Sequence, residues 1–177
     1  MNKNLIIIDM QNDFTIGALG NDECKSIIPE VVNVINTNLW DEIYLTRDTH
    51  KDNYLDTQEG INLPIKHCVE NTEGWQICDE IMDAVNGKKF TIIDKPTFGS
   101  LYMANLLKEK YFIDQEDVEF VFVGLCTGIC VISNVMLVKS ALPESKISII
   151  EKACACVTPE SHKTAIEAMK LCQINII

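Results

Sequence analysis

Two kinds of apolar segment alternate along this chain, and that alternation constrains the fold more than any other feature. Short, mostly apolar runs recur at Leu5–Ile8, Ile43–Thr46, Phe90–Ile93, Val118–Val123, Lys146–Ile150 and Gln173–Ile177. They are too short for helices and read as strands, several of them apolar enough to be buried on both faces. Between them the apolar residues recur at helical spacing: over Cys24–Leu39, over Glu73–Val85, over Ser100–Glu109, from near Cys130 to about Ala141, and from Thr158 to about Leu171. Ser100 and Thr158 stand at N-cap positions, and Pro159 takes the first helical position, where a missing N–H costs nothing. Strands alternating with helices specify right-handed βαβ units. The expected fold is therefore α/β: a three-layer α-β-α domain over residues 1–177 with a mostly parallel, doubly wound, six-stranded sheet. Met10–Gly20 and Lys51–Thr72 show no period and read as loops, the second long enough to suggest a functional role.

Charge and cysteine usage narrow the function classes. The net charge of −11 argues against nucleic acid or an anionic membrane surface as partner, since both require clustered Lys and Arg. No run approaches the ~20 apolar residues of a membrane span. Eight cysteines invite a disulfide framework, but the N-terminus MNKNLIIIDM carries no secretory pattern. Reduced thiols and a cytoplasmic location are the expectation.

In open α/β sheets, ligands bind at the carboxyl ends of the strands. Asp9 follows the first strand, Asp48 and His50 the second, Lys95 the third and Cys130 the fourth. The topology gathers an acid, an amine, a thiol and a possible metal pair on one edge. Cys130 lies where a buried strand hands over to a helix, and unpaired N–H groups at a helix start favour thiolate. Each residue also has a plainer reading: Cys130 as a buried structural thiol, Asp9 as a helix cap, Lys95 as a surface lysine. Their coincidence on one edge favours a nucleophile, a base and a charge stabiliser. Asp48 and His50, two apart in an extended segment, project to the same side and suit Zn, Fe or Mn, with His67 the nearest further ligand. His162, mid-helix, reads as a surface residue.

The segments IIIDMQNDF (Ile6–Phe14), TRDTH (Thr46–His50), LPIKHCVENTEGW (Leu63–Trp75), DKPTFGS (Asp94–Ser100) and GLCTGICV (Gly124–Val131) resemble the nicotinamidase branch of the isochorismatase-like cysteine hydrolases over the whole length. That resemblance implies Asp9, Lys95 and Cys130 as catalytic triad and Asp48, His50 and His67 as ligands of one divalent transition metal. It implies an oxyanion hole from the N–H groups of Cys126 and Cys130, beside a cis peptide between Leu125 and Cys126. It places Phe14, Gln11 and Leu125 at the substrate. It also implies cysteine-dependent hydrolysis of a small heteroaromatic amide, nicotinamide to nicotinate and ammonia, and a role in NAD metabolism. A homo-oligomer is the expected assembly. Two features depart from the pattern. No further histidine occurs between His50 and His67, and Leu63 and Pro64 stand where a tryptophan often precedes the last metal histidine. A ring-stacking wall must come from another residue, Tyr54 being one candidate. The rival readings are a related hydrolase of carbamoyl or ureido groups, a thiol redox or metal-sensing protein, and a non-catalytic binding protein. For the redox reading, the spacings of Cys126 with Cys130 and of Cys154 with Cys156 do not match C-x-x-C.

Overall fold

The computed structural model describes residues 1–37 and 39–177. Six strands, β1 (Asn2–Ile8), β2 (Glu42–Asp48), β3 (Phe90–Lys95), β4 (Val118–Leu125), β5 (Lys146–Ala155) and β6 (Asn175–Ile176), form one sheet in the order β3-β2-β1-β4-β5-β6. Every pairing is parallel. The helices are α1 (Asn12–Thr15), α2 (Asp22–Ser26), α3 (Ile28–Thr37), α4 (Gln58–Asn62), α5 (Asp79–Val85), α6 (Leu101–Tyr111), α7 (Ile132–Ala141) and α8 (Pro159–Leu171).

The apolar strands are continuous in sequence because both faces of the sheet are covered. Successive side chains point to opposite faces. From β1, Leu5 and Ile7 enter a core with Cys24 of α2, Val31 and Ile35 of α3 and Ile81 of α5. Ile6 and Ile8 enter the opposite core with Met103 and Leu107 of α6, Val135 and Val138 of α7, and Ile166 and Met169 of α8. In β4, Phe120 and Phe122 serve the second core, Val121 and Val123 the first.

Several boundaries differ from the sequence reading. The helix expected over Cys24–Leu39 is two helices meeting at Ile27, with Pro29 in the first turn of α3, where it is tolerated. Asn38, inside that expectation, lies outside the described residues. Only Asp79–Val85 of the expected Glu73–Val85 helix forms. The carbonyls of Gly74 and Gln76 accept from Asp13 and Asn12 N–H, and Cys78 N–H donates to Met10 O, so this backbone is bound to the segment after β1 instead. The two expected loops contain α1, and a 3₁₀ turn (Tyr54–Asp56) followed by α4. Gly124 does not end β4. The strand runs on to Leu125, and Gly124 sits at φ 116°, where a Cβ would lie 2.2 Å from Ile8 O. Only glycine permits this approach of β4 to β1. A register shift at the same point carries β5 beyond Ile150 to Ala155. The strand order reverses between β1 and β4, the place where open α/β sheets leave a crevice.

Candidate active site

Asp9, Lys95 and Cys130 converge at that crevice. Asp9 leaves β1 at φ 48°, a left-handed conformation that aspartate tolerates better than most residues. Thr46 of β2 fixes its rotamer: the hydroxyl donates to Asp9 Oδ1 (2.6 Å) and accepts from Asp9 N–H (3.2 Å). Lys95, the last residue of β3, is 1% exposed. Its Nζ lies 2.7 Å from Asp9 Oδ2, 3.5 Å from Cys130 Sγ and 3.6 Å from Asp48 Oδ1, and donates to Thr97 O at 3.1 Å.

Cys130 sits in a π-helical turn, Thr127–Val131, that joins β4 to α7, so it precedes the α-helix rather than opening it. Asn134 anchors the turn by donating to Cys130 O (2.8 Å) and to Phe98 O (3.0 Å) while accepting from Ser100 N–H (2.9 Å). The expected thiolate is not the resting form. Burial pushes the Cys130 thiol well above its ordinary value, the Asp9 carboxylate adds to this, and Lys95 only partly opposes it. Burial likewise raises Asp9 against the pull of Lys95. Lys95 stays an ammonium: burial alone would lower its pKa, but Asp9, Cys130 and Asp48 raise it. The set is therefore a neutral thiol, a carboxylate of raised basicity and a fixed cation.

The second cluster stands beside it. Asp48 ends β2, and Gln11 grips its backbone at both ends, accepting from Asp48 N–H (2.7 Å) and donating to Asp48 O (2.9 Å). His50 Nε2 lies 2.9 Å from Asp48 Oδ2, and His67 Nε2 lies 3.5 Å from the same oxygen. Glu59 of α4 completes the group, its Oε1 3.5 Å from His50 Nε2 and 3.7 Å from His67 Nε2. The donor atoms of Asp48, His50, Glu59 and His67 all lie within 4.8 Å of one another. Two imidazoles and two carboxylates suit a divalent transition metal. Two further observations fit one. Asp48 Oδ1 is buried with no hydrogen bond among the described residues. His67 Nδ1 donates to Ile65 O at 2.8 Å, which leaves the Nε2 lone pair facing the cluster.

The chain matches the isochorismatase domain family over residues 3–177. It belongs to the isochorismatase-like hydrolase superfamily. A nicotinamidase of Saccharomyces cerevisiae is 33% identical over 122 residues, 52% of this chain and 56% of the yeast protein. A nicotinamidase of Schizosaccharomyces pombe is 26% identical over 98% of this chain and 91% of its own length. The crystal structure of a pyrazinamidase of Pyrococcus horikoshii in complex with zinc superposes with a TM-score of 0.75 at 24% identity, covering 100% of this chain and 99% of that one. The three-layer fold with its six-stranded parallel sheet is that of the superfamily.

In this superfamily member Cys130 and the four-residue cluster line one cavity of about 830 Å³, within the range of small-molecule sites, with Asp9 and Lys95 buried behind Cys130. Phe14, Leu63, Phe98 and Ile129 supply its apolar wall, and Asp48, His50, Glu59, His67, Cys126 and Cys130 its reactive side. The peptide between Leu125 and Cys126 is cis, as the resemblance implied. Four residues are placed differently from the expectation. Leu125 is fully buried in the core behind the site and does not line the cavity. Gln11 is also fully buried and spends its amide on the backbone of Asp48 and of Trp75, so it positions the cluster instead of touching substrate space. Tyr54 is no ring-stacking wall: it packs behind the histidines, 4.6 Å from His50 and 4.9 Å from His67, and donates to Leu63 O at 2.9 Å. His162 is not a plain surface residue, since its Nδ1 meets Thr127 Oγ1 at 2.8 Å. Sequence reasoning missed Glu59, Phe98 and Asn134. For Glu59 the available signal was Thr57, whose hydroxyl accepts from Gly60 N–H (3.0 Å) as an N-cap and so announces a short helix there. Among the described residues no helix is long and apolar enough to cross a membrane.

Proposed function

We propose that this protein is a cysteine-dependent amidohydrolase acting on a small heteroaromatic carboxamide, with nicotinamide the substrate that fits its relatives best. The observation that carries the reading is the buried Asp9–Lys95–Cys130 constellation, whose Cys130 lines a largely apolar cavity. Phe14 and Phe98 offer ring faces for an aromatic substrate, and the two yeast relatives are nicotinamidases.

The mechanism follows from the resting protonation states. Cys130 is a buried thiol, so attack requires a base, and Asp9 is the carboxylate in contact with it. As sulfur bonds to the carbonyl carbon, the thiol proton passes to Asp9. The N–H groups of Cys126 and Cys130 are assigned to the carbonyl oxygen as it gains charge. Asp9 then returns the proton to nitrogen, ammonia leaves, and a thioester remains on Cys130. Water attacks the thioester with Asp9 again taking the proton, which frees the carboxylic acid and the thiol. Lys95 stays charged throughout and keeps Asp9 from holding its proton too firmly. Asp48, His50, Glu59 and His67 would hold a divalent metal, which when bound supplies an electrophilic anchor for a ring nitrogen of the substrate.

The test is ammonia release from nicotinamide by the metal-loaded protein, before and after chelation. Release that is lost on chelation and restored by Zn, Fe or Mn supports the whole reading. No release from the folded, metal-loaded protein discards nicotinamide. Release untouched by complete metal removal discards the substrate-anchoring role.

A further inference from the structure

A second group of sulfurs lies behind the catalytic turn, and the mechanism above makes no use of their thiol chemistry. The thiol of Cys126 stands close enough to those of Cys156 and Cys24 for the three to perturb one another's ionisation. Cys24 Sγ also reaches Cys156 O at 3.8 Å. These residues come from the end of β4, the end of β5 and α2, so no sequence motif unites them.

The sheet register makes Cys126 and Cys156 a bridgeable pair. The last paired positions of β4 and β5 are Gly124 with Cys154 and Leu125 with Ala155. Cys126 and Cys156 immediately follow the ends of these adjacent parallel strands. Neighbouring strands run about 4.8 Å apart, inside the roughly 4.4–6.8 Å that disulfides span between Cα atoms. The pair also separates two cavities. Cys126 lines the active-site cavity, whereas Cys156 lines a second cavity of about 540 Å³ bounded by Glu23, Glu151, Thr158 and His162. A small oxidant can therefore meet Cys156 without entering the substrate site.

We propose that Cys126 and Cys156 are a redox modification site: a peroxide entering the second cavity oxidises Cys156, Cys126 closes a disulfide with it, and amide hydrolysis stops. The effect on hydrolysis rests on the reading of Cys130 as nucleophile; the disulfide itself does not. Cys156 is suited to the first step. The neighbouring Cys126 thiol outweighs burial and, with Ser161 and the N–H groups of Gly128 and Val157, lowers its thiol to about 5. Its sulfur attacks one peroxide oxygen. The O–O bond breaks, an S–O bond forms, and the departing oxygen leaves as water after taking a proton. The Cys126 sulfur then attacks the sulfenic sulfur. The S–S bond forms as the S–O bond breaks, and the Cys126 proton leaves with the hydroxyl as a second water. Two electrons pass from the sulfurs to the peroxide.

The consequence for the active site follows from what Cys126 holds. Its carbonyl accepts from Ile129 N–H (3.0 Å) and Val131 N–H (3.1 Å), the residues on either side of Cys130. The Cys156 sulfur packs 3.5 Å from where a Cβ on Gly128 would stand. Drawing the Cys126 sulfur onto Cys156 displaces the anchor of the catalytic turn.

The experiment treats the full, metal-loaded chain and its Cys156→Ser variant with hydrogen peroxide. Peptide mass mapping and nicotinamide hydrolysis are followed together. The wild type is expected to give a Cys126–Cys156 cross-linked peptide lighter by two hydrogens, with activity falling in step and both reversed by dithiothreitol. The variant is expected to start at wild-type activity and to lose it about tenfold more slowly. Failure of the wild type to hydrolyse nicotinamide before any oxidation would count against the amidase reading alone, because the cross-link is read by mass. Peroxide treatment that links neither cysteine, or links them elsewhere, overturns the site. A cross-link with unchanged hydrolysis, or equal inactivation of wild type and variant, overturns the control of activity.

Discussion

At the scale of single residues, the decisive arrangement is the cation of Lys95 set between two carboxylates. Its Nζ touches Asp9 at 2.7 Å and stands 3.6 Å from Asp48, so one buried ammonium faces both the proposed base and the candidate metal cluster. Glu59 is the residue whose role is most open to measurement. It approaches both histidines and is the fourth donor of the cluster. Glu59→Gln keeps the size and removes the charge, and is expected to weaken zinc binding by about tenfold. Competition with a chromogenic chelator measures this, and an unchanged affinity would remove Glu59 from the ligand set. The convergence of Asp9, Lys95, Cys130, Asp48, His50 and His67 was legible in the sequence because each sits within a few residues of a strand's end or in a recognisable motif. Glu59 was not, because the Lys51–Thr72 segment has no period and its fold depends on contact. Gly60 of α4 lies so close to the 3₁₀ turn that a Cβ would meet Tyr54 O at 2.0 Å. The protonation state of Cys130 was not legible either, since it depends on how deeply the turn is buried.

At the scale of elements, the β1–β4 pair is what brings Asp9 and Cys130 together. Asp9 leaves the end of one strand and Cys130 follows the end of the other, and Gly124 permits the close contact between them. Gly124→Ala combines a positive φ with a Cβ 2.2 Å from Ile8 O, so a loss of at least about 2 kcal/mol of stability is expected. Urea denaturation gives the number, and a loss below about 0.5 kcal/mol would show that the strands separate easily here. Strand and helix identities were legible from period, and the Thr158–Pro159 start of α8 was legible from its caps. The truncation of α5 was not, because Gly74, Gln76 and Cys78 spend their backbone groups on the segment after β1. That competition between distant segments leaves no trace in local spacing.

At the scale of the whole molecule, the two ends of the sheet are divided between chemistry and stability. The carboxyl ends carry the site, while Glu42, at the amino end of β2, anchors a cluster with Lys110, Tyr44 and Lys89. Burial alone would raise Glu42, but the hydrogen bonds from Lys110, Tyr44 and Lys89 prevail and lower it from 4.5 to about 2. A carboxyl held below its unfolded value stabilises the fold at neutral pH, and that contribution fades as pH falls from 4.5 towards 2. Discounted for the exposed lysines, it amounts to about 2 kcal/mol. The stability gap between wild type and Glu42→Gln should therefore be full at neutral pH and closed near pH 2, and a gap independent of pH would contradict the assignment. The doubly wound order, with its crevice between β1 and β4, is what brings an acid, a lysine and a thiol distant in sequence into one cluster, the proposed reaction centre. The most direct test of that centre is ammonia release from nicotinamide by a folded, metal-loaded Cys130→Ala variant. Loss of turnover by more than about a thousandfold, with metal content and stability retained, is the predicted result. Turnover within tenfold of wild type would contradict it and shift the nucleophile elsewhere in the cavity.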